Sequence, residues 1–323
     1  MWADYAVIGA GSAGCVLASR LSEEGASVVL LEAGPRDWHP MIHVPAGVLK
    51  LLYNPLVNWN YATDPEPGAA GRRIHWPRGR VLGGSSSING MLWIRGNPAD
   101  YDGWAQMGCK GWSFDEVLPH FKSIERYAPG AAEQRGKSGP ILVEDYRTTL
   151  PLTHRFVDAA QQAGIALTKD LNGCQQEGVG YSQMSRNGRF RGSTARTFLA
   201  QAKGRPNLRI ETKAFATRLL LRRRALRGRR LPSGPTRATH QGRPREVILS
   251  GGTVNSPHLL QVSGVGPAAH LQSIGVPVVH DLPGSAPTCP ITMQSASRTA
   301  SRTPCRSTRC RVGSRLAARS RAG

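Results

Sequence analysis

Three glycines near the start of the chain have the spacing Gly9-x-Gly11-x-x-Gly14, which is typical of a phosphate-binding turn. The run Ala3–Ala10 reads as a short buried strand, and Cys15–Leu21 reads as a helix. In that context the first glycine makes the turn, the second admits a pyrophosphate close to the backbone, and the third lets the helix pack on the strand. The N-terminus of the helix then faces the phosphates. We therefore predict a dinucleotide site.

An acidic residue completes this pattern. Glu32 follows a second predicted strand, Val28–Leu31, and lies eighteen residues after Gly14. A carboxylate at this place can accept hydrogen bonds from both hydroxyls of a ribose. It would repel a 2′-phosphate, and Ala33 offers no positive charge. We expect a nucleotide without a 2′-phosphate.

The stretch Gly79–Gly96, GRVLGGSSSINGMLWIRG, is the second unusual segment. Gly83 and Gly84 leave the backbone almost bare, so it can approach a flat ligand closely. The three serines that follow can bond backbone or ligand. Taken alone, the stretch is equally typical of a Gly/Ser turn that leads into a core element.

The positive charge of the chain is concentrated in two blocks. The formal net charge is +21, and residues 221–241 and 285–323 contribute seven and eight arginines without any acidic residue or lysine. We expect the first block to be an aberrant Arg-rich insert and the second a disordered basic tail. Arginines of this kind bind phosphate without specificity. With no aromatic interleaving and no known module, we expect no specific nucleic-acid partner.

The six cysteines and the hydropathy pattern bear on location. The cysteines form no CxxC pair and show no zinc spacing, so we predict no metal site and a reducing cytoplasm. The chain shows neither a leader pattern nor an apolar run that could span a bilayer. Peripheral association with a membrane stays open.

Two long segments resemble signatures of the glucose–methanol–choline (GMC) oxidoreductases, most closely the bacterial choline and alcohol dehydrogenases. Gly79–Asp102 is similar to the first signature, and Gly252–Gly266 (GTVNSPHLLQVSGVG) to the second. Family-like phrases also occur at Asp100–Glu125, Gly188–Leu199 and Arg205–Ile210. The resemblance covers roughly residues 1–220 and 245–284.

The resemblance implies FAD as the cofactor. The positions that match the ADP-binding residues are Gly9, Gly11, Ser12, Gly14 and Glu32. The positions that match the segment along the flavin are Arg80, Gly84, Ser85, Asn89 and Met91, and Ala216 matches the position whose backbone meets adenine. The Ser-Pro of the second signature is placed beside the FAD domain, although a strand-to-helix connection without ligand contact is an equal alternative.

The resemblance also implies the fold, an α/β architecture with a Rossmann-like FAD-binding domain and part of an α+β substrate-binding domain. We expect residues 1–150 to form the first part of the FAD-binding domain. Residues 151–190 are expected to be a fragment of the substrate-binding domain, and residues 191–284 to return to the FAD-binding domain.

The reaction implied is oxidation of an alcohol, in which a base takes the hydroxyl proton while the carbinol hydride moves to the flavin. In the family the base is a histidine near the C-terminus. None of the nine histidines here has that context, so no catalytic residue is assigned. We expect the C-terminal half to be missing and this chain to be inactive. A quinone or dye-type electron acceptor is favoured over oxygen, and the alcohol cannot be identified.

A shift of reading frame could explain the two basic blocks. Back-translation of residues 225–233 and 286–298 in another frame can give phrases similar to the family's. We hypothesise one shift before residue 221, restored near 242, and a second after 284. Two alternative functions stay open: a non-catalytic FAD- or ADP-binding fragment, and an NAD-dependent dehydrogenase, which would leave both signatures unexplained.

Overall fold

The computed structural model of the protein describes residues 3–222, 225–230 and 244–284. The elements of the first half are, in chain order, β1 (Tyr5–Ile8), α1 (Ser12–Glu23), β2 (Val28–Leu31), α2 (Pro40–His43), α3 (Val48–Leu51), β3 (Tyr61–Ala62), β4 (His75–Trp76), β5 (Leu92–Trp93), α4 (Pro98–Gln106), α5 (Phe114–Ile124), β6 (Glu125–Arg126) and β7 (Ile141–Glu144). Those that follow are α6 (Pro151–Gln162), β8 (Gln183–Asn187), β9 (Phe190–Arg191), a π-helical segment (Ala195–Leu199), β10 (Leu208–Glu211), β11 (Arg218–Arg222), β12 (Ala225–Arg230), β13 (Glu246–Leu249), α7 (Gly252–Val262), β14 (Val265–Gly266), α8 (Ala268–Ser273) and β15 (His280–Asp281).

A four-stranded parallel sheet in the order β10-β2-β1-β13 forms the first core. Its two central strands, β1 and β2, contain no charged residue, as expected for strands that are covered on both faces. On one face Val7 and Leu30 pack with Cys15 of α1. On the other face Ile8 and Leu31 pack with Leu259 of α7. The predicted strand–helix–strand unit at the start of the chain is confirmed, and two much later strands complete its sheet.

A second sheet has the order β5-β8-β7-β6, with β9 paired to β8. The N-cap residue of helix α5 is Ser113, which forms a capping box with Glu116. The segment between β2 and β5 contains only short elements, among them α2, α3, β3 and β4. Its short helices bury Ile42 and Leu51 against Val81 and Ile88, which flank the Gly/Ser stretch.

Part of the predicted Arg-rich insert has regular structure. Strands β11 and β12 pair antiparallel, and they include residues 221–222 and 225–230 of that block. Residues 223–224 and 231–241 of the block, and the predicted basic tail at 285–323, lie outside the described residues.

A buried group of charges holds the second sheet to its loops. The carboxylate of Glu125 is fully buried and accepts hydrogen bonds from Arg95 Nη2 at 2.6 Å and Arg135 Nε at 2.8 Å. Arg135 also forms an ion pair with Asp170 at 2.7 Å, and Trp93 Nε1 donates to Glu125 at 2.7 Å. Breaking such a group leaves charges buried and unpaired.

We expect Glu125→Ala to lower the free energy of unfolding by about 3–5 kcal/mol, because two arginines lose their buried acceptor. Urea denaturation followed by circular dichroism measures the effect. The control is Glu133→Ala, whose exposed side chain predicts a change within about 0.5 kcal/mol. Equal denaturation midpoints for the two variants would contradict this account of the network.

Candidate functional site

A cleft of about 700 Å³ opens where the parallel strands of the first sheet end. Its walls are the segments that follow β1, β2 and β13, together with residues 214–217 that follow β10. The carboxyl ends of parallel strands are the usual place for a ligand in an open α/β sheet. The volume is within the ~300–1,000 Å³ typical of small-molecule sites.

The turn after β1 leaves no room for side chains. Gly9 has φ +99°, and a Cβ there would lie 2.4 Å from the carbonyl oxygen of Ser250. A Cβ on Gly14 would lie 1.9 Å from the carbonyl oxygen of Gly9, so helix and strand meet as the spacing predicts. Helix α1 begins at Ser12, and its N-cap residue, Gly11, has no capping side chain. The first N–H groups of the helix can therefore donate to an anion in the cleft.

Glu32 lies at the cleft with 5% of its surface exposed. Its two carboxylate oxygens accept hydrogen bonds from Ala10 N–H at 3.0 Å and Gly34 N–H at 2.8 Å. Burial raises the pKa of Glu32 to about 7, although the two backbone donors oppose that shift. Each oxygen can accept one further hydrogen bond. The carboxylate can therefore receive two hydroxyl groups, as a ribose would offer.

The main chain of Gly83 and Gly84 is in direct contact with the turn after β1, Gly9–Gly14, called the first turn below. Both residues have positive φ, +87° and +54°, and a Cβ on Gly84 would lie 2.7 Å from the Cα of Gly11. A Cβ on Gly79 would lie 2.2 Å from the carbonyl oxygen of Gly84. Ser85 Oγ accepts from Gly79 N–H at 3.1 Å. These glycines are required by main-chain packing, and Gly84 and Ser85 also line the cleft.

The structure brings together seven of the eleven residues that the sequence predicts for the site. The seven that line the cleft are Gly9, Gly11, Ser12, Glu32, Gly84, Ser85 and Ala216. Gly14 packs behind the turn, and Arg80 lies beside the cleft with its guanidinium 5.6 Å from the ring of Trp59. Asn89 and Met91 lie further along the same segment; Met91 is buried with φ +62°.

Three aromatic side chains that were not predicted from the sequence form one side of the cleft, the aromatic wall. Trp59 and Tyr61 stack at 5.9 Å, and Phe215 lies 5.8 Å from Trp59; all three line the cleft. Tyr61 also donates to the side chain of Asn255 at 2.8 Å. The aromatic residues of the irregular phrase NWNYATDPEP were the available sign, but their partner Phe215 is distant in sequence.

The second signature also lies at the cleft. Residues 252–256 line it, in the first turn of α7, and His258 follows on the same helix. Among the described residues, no group of His, Cys, Asp and Glu side chains could hold a metal ion. None of the described helices combines the length and hydropathy that a membrane crossing requires.

A parallel sheet with a glycine turn, a free helix N-terminus and an acid at the end of the second strand defines a dinucleotide-binding α/β protein. The model of the GMC oxidoreductase family matches residues 3–314, a range that extends past residue 284, where the resemblance read from the sequence ends. The chain belongs to the GMC oxidoreductase family, and its fold is that family's FAD-binding domain.

Two curated relatives and two solved structures illustrate the similarity. Mitochondrial choline dehydrogenase of Mus musculus is 43% identical over 319 residues, which cover 91% of this chain and 53% of the relative. Oxygen-dependent choline dehydrogenase of Brucella ovis is 44% identical over 286 residues, covering 88% and 52%. The chain therefore spans about half the length of the curated relatives it matches.

Among solved structures, pyridoxine 4-oxidase from Mesorbium loti superposes with a TM-score of 0.83 at 34% identity, over 87% of this chain and 55% of that one. An FAD-dependent oxidoreductase from Chaetomium thermophilum superposes with a TM-score of 0.79 at 29% identity, over 87% and 51%. These superpositions confirm the fold predicted from the sequence.

Comparing Gly9→Ala with Gly25→Ala distinguishes the effect of backbone strain from that of steric crowding at the first turn. Both glycines have strongly positive φ, +99° and +90°, but nothing lies within 4 Å of a Cβ on Gly25. We expect Gly25→Ala to cost about 1 kcal/mol of stability, and Gly9→Ala to cost about 1–3 kcal/mol more through overpacking. Thermal unfolding measures both, and equal melting temperatures would show that Ser250 does not constrain the turn.

The raised pKa of Glu32, about 7, predicts how the stability of the ligand-free protein changes with pH. Between the unfolded pKa of about 4.3 and about pH 7 the unfolded chain has lost this proton while the folded chain retains it. The free energy of unfolding should therefore fall as pH rises through this window, by on the order of 3 kcal/mol, and level off above it.

The comparison variant is Glu32→Gln, in which this contribution is absent. Urea denaturation from pH 4.5 to pH 8 should give a difference between wild type and variant that changes with pH. The carboxyls of Asp4, Glu23, Glu116 and Glu144 have lowered pKa values, so their effects fall at more acidic pH. Parallel stability curves would contradict the buried position of Glu32.

Proposed function

We propose that this chain binds FAD in the cleft and is the FAD-binding part of an oxidoreductase that acts on the CH–OH group of an alcohol. The observation that carries the proposal is the direct contact between two glycine segments, Gly9–Gly14 and Gly83–Gly84, on one continuous cleft. The first is suited to the pyrophosphate of a dinucleotide. The second gives a flat ring system close access to the main chain.

The residues present fit the two halves of FAD. Glu32 has free acceptor capacity for a ribose, the N-terminus of α1 opens on the cleft where a pyrophosphate would lie, and Ala216 lines the cleft where its backbone would border an adenine. On the flavin side, Gly84 and Ser85 line the cleft, and Arg80 belongs to the same segment; we propose that it contributes to holding the cofactor there. We propose the same cofactor role for Gly9, Gly11, Ser12, Gly14, Gly84, Ser85, Asn89 and Met91.

The chemistry of the alcohol follows from the cofactor. FAD, when bound, supplies the acceptor for the hydride that leaves the carbinol carbon. The chain's own described residues bind and orient the cofactor, and the base that takes the hydroxyl proton is not assigned to any of them. Choline is the substrate in the names of both curated relatives, so we propose choline or a similar small alcohol.

The finer assignments are proposals of the same kind. Residues 1–150 and 191–284 would contribute the FAD-binding domain and residues 151–190 a piece of the substrate-binding domain. We place the chain in the cytoplasm, since the three described cysteines are free, with peripheral membrane association open. A quinone or dye-type acceptor is our proposal; the name of the Brucella ovis relative makes oxygen the alternative.

Two other functions fit fewer of the observations. A non-catalytic FAD- or ADP-binding fragment would use the same cleft, and it differs only in the absence of turnover. An NAD-dependent dehydrogenase would use the first turn and Glu32. It gives no reason for Gly84 and Ser85 to line the cleft or for the residues of the second signature to border it.

FAD titration tests the proposed function. We expect the purified chain to retain flavin absorbance through gel filtration. Because ribose hydroxyls donate best to an ionised carboxylate, the affinity should rise with pH up to about 7, the pKa of Glu32, and Glu32→Gln should weaken binding at pH 8 by about tenfold.

The control is Glu23→Gln, at the exposed end of α1, which should bind FAD as wild type does. Flavin that separates from folded wild-type protein on the column would contradict the proposed function. Retention of NAD in place of FAD would support the dehydrogenase alternative.

A further inference from the structure

Arg191, at the end of β9, is almost completely enclosed, with 1% of its surface exposed. Its guanidinium donates from Nε to the carbonyl oxygen of Ile42 at 2.9 Å. From Nη1 it donates to the carbonyl oxygens of Ser86 at 3.3 Å and Asn89 at 2.6 Å, and to Asn89 Oδ1 at 2.8 Å. One side chain thus joins helix α2 to the turn that follows the glycine pair.

This arginine has no acidic partner. None of the ion pairs within the described residues includes Arg191, whereas Arg135, the other fully buried arginine, pairs with Glu125 and Asp170. Burial alone lowers the pKa of Arg191 to about 10, so it stays charged at neutral pH. A buried cation is costly unless hydrogen bonds compensate it. Here the oxygens of Ile42, Ser86 and Asn89 accept from Nε and Nη1, whereas the buried Nη2 has no hydrogen-bond partner among the described residues.

The turn that Arg191 holds needs such support. Met91 has φ +62°, a backbone conformation that residues other than glycine rarely adopt. Asn89 Oδ1, besides accepting from Arg191, accepts from Met91 N–H at 3.1 Å. A second link comes from Thr194, whose N–H donates to Ser86 Oγ at 3.1 Å. Residues 191–194 therefore form hydrogen bonds to both ends of the turn, Ser86 and Asn89.

We propose that Arg191 is a positioning residue that fixes the main chain of residues 86–89 for contact with the flavin. The proposal rests on the proposed function, in which this segment lies along the cofactor. Arg191 itself does not line the cleft, and it acts through Ser86 and Asn89. A guanidinium suits this task because its planar fork reaches several acceptors in fixed directions.

The substitution Arg191→Lys removes the planar guanidinium group but keeps the positive charge. Arg191→Lys can reach one acceptor as a point charge but cannot bridge Ile42, Ser86 and Asn89 together. Because hydrogen bonds from a charged group are stronger than those between neutral groups, their loss should make amide exchange in residues 85–91 of the ligand-free protein rise about tenfold or more. FAD affinity should fall by about the same factor, with a changed visible circular dichroism of the bound flavin.

The matched control is Arg135→Lys, which perturbs an equally buried arginine in the second sheet. It should lower the melting temperature but leave the exchange of residues 85–91, the FAD affinity and the flavin dichroism as in wild type. Equal loss of affinity in both variants, or wild-type exchange in Arg191→Lys, would overturn the positioning role. Faster exchange in Arg191→Lys would show that Arg191 fixes the turn even if the wild type retains no FAD. That combination of results would contradict the proposed function and not the structural role of Arg191.

Discussion

The close approach of three backbone segments at one end of the parallel sheet is the constraint on which the site depends. The first turn, Gly84 and Ser250 come from parts of the chain far apart in sequence. A Cβ on Gly9 would meet the main chain of Ser250, and a Cβ on Gly84 would meet that of Gly11 in the first turn. Ser250 Oγ donates to the carbonyl oxygen of Gly9 at 2.7 Å, which links β13 to the first turn. Since interiors are packed to crystal-like density, a side chain at either glycine would have to displace backbone.

Much of this arrangement could be predicted from the sequence. The first turn, Glu32 and the two strands that flank α1 follow from local periodicity and spacing, which short-range backbone geometry determines. The Gly/Ser stretch could be located, but the local pattern left its role undecided. Its contact with Gly11 forms only on folding, and it gives Gly84 a packing role that local spacing does not indicate.

The remaining features depend on side chains that meet only after folding. The aromatic wall joins Trp59 to Phe215, and Asn255 reaches Tyr61 from nearly two hundred residues away. The position of Arg191 within the phrase GRFRGSTARTFL was recognisable as family-like, but nothing in its spacing indicates which carbonyls it holds. The pairing of β11 with β12, which lies partly inside an arginine-rich block, is a further feature that composition did not indicate.

The central claim is that one cleft receives the whole of FAD, with the dinucleotide end at the first turn and the flavin end at the Gly83–Asn89 segment. Amide exchange measured without ligand, with ADP and with FAD tests it most directly. The account predicts that both ligands protect residues 9–14, and that FAD alone adds protection at residues 83–89. Identical protection by ADP and FAD would contradict it, because the glycine-rich segment would then have only a packing role.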